Sequence, residues 1–356
     1  MAVSDGVTAT RFDIETLDTL AIETPNRFPF PIAGCAHWQR EPGTDNSLTV
    51  STKLSFSGIY YQLLRYRPQD DFQHPQEVAA FKPKVNSYVH SFSVTQRHAI
   101  IFFYPFTVDS MKVLRNNFHG FGATQKVDNY TYIYVIDLQT GGYIETQSDS
   151  TYALHHANAY EKEGDIVVDI VKMYYENGPY YVMLENMMNP PETVNASEWF
   201  GTELSRYNIN VRTKKVTKME FPNNATNSLH YKHFEFPVIN EAYRGRFYCI
   251  IYGWSEYGYS RTVLIKRNLC VPDESRKWYL EDHYASEMTF VANPKAKSED
   301  DGVLMTIVYD GKKEKSYLLI LDAKQLLPIN KSYLPHHIPW SAHGMYFPEA
   351  NFHHNS

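Results

Sequence analysis

At 356 residues and a net charge of −6, the chain is long enough for one large core and has no Lys/Arg run that could track a phosphate backbone, so nucleic acid is not an expected partner. No stretch reaches the roughly 18 uninterrupted apolar residues of a spanning helix, and the opening MAVSDGVTATRFD lacks the basic and apolar regions of a signal peptide. The expected location is the cytoplasm, with peripheral contact at a membrane surface.

Aromatic residues make up 15% of the chain, with 28 Tyr and 20 Phe, and this composition favours half-buried pleated surfaces. In chain order, strand, polar turn and strand recur at 9–23, 132–146, 204–221, 262–280 and 317–334, and the turn chemistry of each predicts a hairpin. The runs 98–106, 164–175, 246–254 and 302–310 are apolar without alternation, as strands buried on both faces would be. Helix is expected only in short pieces, at 76–81 and at 180–188, where Pro190 and Pro191 follow. The charged segment 293–302 reads as a solvated turn. Hairpins at irregular spacing, without interleaved helices, predict an all-β chain organised as one β-propeller domain over 1–356. Its first hairpin follows the N-terminus so closely that the opening blade strands are expected to be missing. Cys35, Cys249 and Cys270 are odd in number and lack metal-ligand spacing, so reduced thiols are expected.

Four histidines occur in similar settings where an extended segment begins or ends: His37 in GCAHWQRE, His90 in NSYVHSFS, His155 in YALHHANAYE and His343 in WSAHGMYF. A single histidine on an apolar strand is more often a hydrogen-bonded core residue than a ligand. Four together, remote in sequence, suit one metal gathered where distant strand ends meet, as they do on a propeller axis. Imidazole serves iron, copper, zinc and nickel alike, whereas structural zinc sites use closely spaced Cys and His. Four neutral ligands leave the charge of a dication uncompensated, and carboxylates accepting the far ring N–H would offset it. Glu235 and Glu287, each set among apolar neighbours, are the candidates.

With RFDIETLDTL (11–20), AHWQREPG (36–43), SYVHSFSVT (87–95), LHHANAYEKEGDIVVDIV (154–171), FEFPVINEAYRGRFYCIIYG (234–253), SEMTFVANPKAKSEDDGVLMTIV (286–308) and IPWSAHGMYF (338–347) in the family's order, the chain resembles the carotenoid cleavage oxygenases. The likeness is to their animal branch of β-carotene oxygenases and retinoid isomerohydrolase. That resemblance implies a seven-bladed propeller with Fe(II) on its axis, held by His37, His90, His155 and His343. The family's spacing from His to Asn-Ala selects His155 over His156. Glu235 and Glu287 carry over as supporting carboxylates; the family's third glutamate falls near Asp5, a shorter acid. The implied activity is cleavage of a carotenoid or apocarotenoid double bond by dioxygen, giving carbonyl products. Alternatives are a retinoid isomerohydrolase on the same fold, or a catalytically silent, truncated carotenoid-binding protein. An apolar tunnel would admit the polyene, with Phe236, Met173 and Tyr180 as wall residues. Trp38 stands where vertebrate relatives have proline, which predicts a local change in that loop with iron binding intact.

Overall fold

A computed structural model describes residues 2–23, 30–69, 72, 74–108, 124–173, 201–221, 233–257 and 261–347. Strands pair antiparallel and assemble into six sheets of three or more strands that succeed one another along the chain. Sheet I joins Ala2–Val3, Ala9–Phe12 and Thr19–Glu23. Sheet II orders Phe30–Gly34, Ser47–Ser55, Gly58–Tyr66 and Gln76–Phe81, with Gln39–Arg40 also on Ser47–Ser55. Sheet III orders Ser93–Val94, His98–Phe103, Tyr130–Asp137 and Tyr143–Asp149, and sheet IV orders Ala153–Lys162, Asp165–Met173, Thr202–Asn210 and Val216–Glu220. Sheet V runs Glu235–Val238, Ile250–Tyr257, Arg261–Asn268, Arg276–Trp278. Sheet VI runs His283–Ala285, Gly302–Asp310, Lys315–Asp322, Pro328–Tyr333, with Thr289–Ala292 also on Gly302–Asp310. A two-stranded ribbon, Phe106–Val108 with Thr124–Lys126, stands beside them.

The result is a β-propeller, with six blades among the described residues where seven were expected. Sheets II, III, IV and VI each span more than fifty residues, from 30 to 81, 93 to 149, 153 to 220 and 283 to 333. All five predicted hairpins form, because their turn chemistry is local. The turn at 137–142 illustrates it: Asp137 Oδ1 accepts the N–H groups of Gln139 and Thr140, both at 2.9 Å, while Oδ2 takes Arg97 Nε at 2.8 Å. Burial works against this charge, but the two N–H donors and the Arg97 guanidinium outweigh it and hold the carboxyl at about 2. A carboxyl lowered on folding stabilises above its unfolded value and stops doing so as pH falls through its folded value. The stability gap between the wild type and D137N, read by denaturant titration, is therefore expected to be full at pH 5 and to shrink between about 4 and 2. A gap independent of pH in that window would sink the assignment.

The buried strand His98–Phe103 shows why apolar runs without alternation were legible. Ile101 and Phe103 pack into an apolar cluster with residues of sheet II, whereas Ile100 and Phe102 pack into another with residues of sheet IV. Period 2 persists, but both faces are covered. Two further clusters fill the spaces between sheets IV and V and between V and VI. A buried ion pair within sheet IV is also reached by Tyr248, from the segment that leads into Ile250–Tyr257 of sheet V. Asp169 lies opposite Arg206 in the register, receives Arg206 Nε and Nη2 at 2.8 Å each, and accepts Tyr248 OH at 2.6 Å.

Two local expectations fail. Residues 76–81 form an outer strand rather than a helix, because Gln76–Phe81 lies in register on Gly58–Tyr66 and buries Ala79 and Phe81; ladder pairing overrides local propensity. The segment 180–188 lies outside the described residues. The cysteines are not all reduced: Cys249 and Cys270 form a disulfide. The hairpin register pairs Ile250 with Asn268, and Leu269 N–H reaches Cys249 O at 2.7 Å, so continuation of the ladder brings the two cysteines together. Cys35 remains a buried free thiol. Helix among the described residues is limited to two 3-10 turns, Glu241–Tyr243 and Pro272–Glu274. None of the described helices is long and apolar enough to cross a membrane.

Candidate metal centre

The first strands of the sheets lie at one edge of each, and Ala153–Lys162 touches both Ser93–Val94 and Glu235–Val238. The residues of interest sit in or beside these strands. Asp5 follows Ala2–Val3, His37 precedes Gln39–Arg40, and His90 precedes Ser93–Val94. His155 lies in Ala153–Lys162, Glu235 opens Glu235–Val238, and Glu287 precedes Thr289–Ala292. His343 comes from the segment after sheet VI. Residues from 5 to 343 thus meet at one place.

The ring nitrogens of His37, His90, His155 and His343 all lie within 4.8 Å of one another. His37 Nε2 and His90 Nε2 are 3.1 Å apart. Around an ion with metal–nitrogen bonds of about 2.1 Å, donors at right angles lie about 3 Å apart and opposed donors about 4.2 Å. The His37–His90 pair matches the first spacing, and the outer limit of 4.8 Å lies above the second.

Three of the four rings are held by a carboxylate on the far nitrogen. His155 Nδ1 meets Glu235 Oε2 at 2.6 Å, His90 Nδ1 meets Asp5 Oδ2 at 2.9 Å, and His343 Nδ1 meets Glu287 Oε2 at 3.1 Å. With each Nδ1 so occupied, Nε2 is left to face the centre, and His155 Nε2 is buried without any hydrogen-bond partner. A buried polar atom with no partner is costly, so an acceptor of its lone pair is what this pocket lacks. Burial disfavours the charged form of His155, but the Glu235 charge and hydrogen bond outweigh it and raise its pKa. Burial also opposes ionisation of Asp5, and the hydrogen bond and charge of His90 outweigh it, lowering that carboxyl. For His37, burial and then the neighbouring imidazoles push the pKa down to about 2, so it is neutral and offers a lone pair. Four imidazoles backed by three carboxylates fit a divalent cation.

Local chain geometry explains how these side chains arrive. The ladder between Ala153–Lys162 and Asp165–Met173 slips on both sides of His156, a bulge that re-aims side chains. His155 turns to the cage, while His156 is consumed by Ser93 Oγ at 2.8 Å and Tyr104 OH at 3.2 Å. Burial and then the charge of His155 lower its pKa to about 3. Phe236 and His343 both have positive φ, 51° and 66°, conformations that cost energy for a non-glycine residue and recur at functional sites. In each case the neighbouring carboxylate compensates: Glu235 Oε2 accepts Phe236 N–H at 2.7 Å, and Glu287 Oε2 accepts His343 N–H.

Asp5, near which the sequence reading set the third supporting carboxylate, stands at the site. Its shorter side chain reaches His90 because its backbone is drawn against sheet II: Asp5 O accepts Gly34 N–H at 3.0 Å and Oδ1 accepts Ala36 N–H at 3.1 Å. The approach needs glycine, since a Cβ on Gly34 would stand 2.9 Å from Gly6 O.

Of the three predicted wall residues, Phe236 stands beside the cage, its ring 5.4 Å from His155 and 5.8 Å from His343. Met173 ends its strand in the apolar cluster with Phe106 and Tyr152, and Tyr180 lies outside the described residues. Sequence reasoning missed Trp254 and Trp340, whose rings lie 5.8 Å and 5.5 Å from Phe236. Both indole N–H groups donate to Ala285 O, at 2.9 Å and 3.2 Å, which spends their polar atoms and leaves apolar faces. The site is open on this side: the His343 side chain is 42% exposed against 8% for His155. Trp38, the residue after His37, stacks on Tyr66 at 4.6 Å.

The sequence matches the protein-family model for the retinal pigment epithelial membrane protein over residues 1–348. β,β-Carotene 15,15'-dioxygenase of Rattus norvegicus is 27% identical over 296 residues, covering 75% of this chain and 51% of that protein. Torulene dioxygenase of Fusarium fujikuroi is 26% identical over 380 residues, covering 96% of this chain and 64% of that protein. The chain therefore spans about half the length of the carotene dioxygenases it matches. Among solved structures, the cobalt-substituted apocarotenoid oxygenase of Synechocystis superposes with a TM-score of 0.80 at 22% identity, over 97% of this chain and 71% of that one.

Proposed function

Since the chain belongs to the retinal pigment epithelial membrane protein family, the carotenoid cleavage oxygenases, we propose that it is an Fe(II)-dependent dioxygenase cleaving a carbon–carbon double bond of a carotenoid or apocarotenoid. The observation that carries the reading is the meeting of His37, His90, His155 and His343 with three of the rings backed by carboxylates. Ferrous iron, when bound by these imidazoles, supplies the activation of dioxygen toward an alkene. One C=C bond and one O2 become two C=O bonds, so the balance requires no protein acid or base. The residues of the chain therefore bind and orient the reactants. Asp5, Glu235 and Glu287 fix the tautomers of their rings and offset the charge of a dication. Phe236, Trp254 and Trp340 form an apolar wall for the polyene on the open side, where Trp340 is 48% exposed. Peripheral membrane contact and a cytoplasmic setting belong to the same reading, as the route by which an apolar substrate arrives.

The test is to measure iron per chain in purified protein and then supply β-carotene under labelled dioxygen. Stoichiometric iron with label in aldehyde products supports the reading; turnover of a retinyl ester without label would favour the isomerohydrolase alternative. Protein that holds no iron and leaves the polyene unbleached would overturn it in favour of a silent carrier. Removing a supporting charge should act through the metal. E235Q keeps the shape of Glu235 but not the charge that meets His155 Nδ1, and iron affinity is expected to fall roughly 10- to 100-fold. Unchanged affinity in a metal titration would remove Glu235 from the site.

A further inference from the structure

We infer that Ser91 is a positioning residue for the metal centre, acting on His155 through the backbone. The inference rests on the four-histidine reading above and concerns how the bulge is held open. A bulge leaves ladder groups unpaired, and here the ladder skips between Ala153 and His156. The two peptide groups that flank His155 find one partner between them. Ser91 Oγ donates to Leu154 O at 2.5 Å and accepts His156 N–H at 2.9 Å. The hydroxyl has one proton and both roles are used. Ser91 is 5% exposed, so water does not compete for those groups. It also directly follows His90. One hydroxyl thus ties the backbone that presents one ring to the backbone that presents another, 65 residues away.

Without the hydroxyl, the buried His156 N–H and the half-buried Leu154 O both lose this partner, which favours closing the bulge by one register step. Because side chains alternate along a strand, such a step turns His155 away from the cage. Ser93 supplies the control. It is equally buried and bonds a histidine, but that histidine is His156, whose ring is spent on Ser93 and Tyr104.

The experiment is a cobalt(II) titration of the full chain, followed by the visible d–d spectrum. S91A is expected to bind cobalt about 10- to 100-fold more weakly, the range for partners that orient metal ligands, with an altered spectrum. S93A is expected to stay within about threefold of wild type with an unchanged spectrum. Should S91A fail to fold, the isosteric pair S91T and S91V carries the same comparison: threonine restores the hydroxyl and should bind more tightly than valine by at least about tenfold. Wild-type affinity and spectrum in S91A, equal weakening in S91A and S93A, or equal affinity of S91T and S91V would each overturn the inference while leaving the metal site standing. A wild type that binds no cobalt overturns the metal reading itself, and this inference with it.

Discussion

H155A is expected to reduce metal occupancy from near one ion per chain to a small fraction and to abolish polyene bleaching. Removing a ligand should exceed the roughly 10- to 100-fold loss that follows from removing its outer partner, so a fall in metal affinity of more than about 100-fold is anticipated. The informative control is the adjacent residue. His156 is at least as prominent in the sequence, yet Ser93 and Tyr104 occupy both of its nitrogens, whereas His155 Nε2 has no partner. H156A should cost stability and retain the metal. Iron retained by H155A and lost by H156A would reverse the assignment of the bulge.

The second large effect is on stability. In D169N the shape is kept, but the Arg206 guanidinium loses its counter-charge in a place where the Asp169 side chain is 1% exposed and that of Arg206 15%. Breaking one half of a buried pair leaves an uncompensated charge and costs roughly 3–5 kcal/mol. That is a large share of the roughly 5–15 kcal/mol that holds a domain folded. Tyr248 OH loses its charged acceptor in the same substitution. Denaturant unfolding of the metal-free protein reads the difference without interference from the site; a loss under about 1 kcal/mol would mean that the pair is solvated.

How much of this could be read from sequence depended on whether the cause was local. The hairpin at 132–146 announces itself because Asp137 and the residues after it build the turn from adjacent side chains and N–H groups. The convergence of the four histidines was legible because each sits in a recognisable run at the start or end of a strand. What escaped depends on groups brought together from afar. Asp5 looks too short until Gly34 draws its backbone inward. Trp254 and Trp340 are 86 residues apart and become neighbours in the fold, where the Ala285 carbonyl takes both indoles. The disulfide required the register of sheet V, and the strand at 76–81 required its partner. The number of blades depends on which strands pair across the chain, which no local signal reports.

The scatter of the cage over residues 5 to 343 governs the life history of the molecule. A nascent chain on the ribosome cannot own a complete set of donors until residue 343 has emerged. Capture of an ion by the complete cage would then follow the pairing of the sheets and not seed it, and such long-range assembly is slow. On the proposed iron reading, newly made protein passes through an apo interval, and cells short of iron accumulate it in that form.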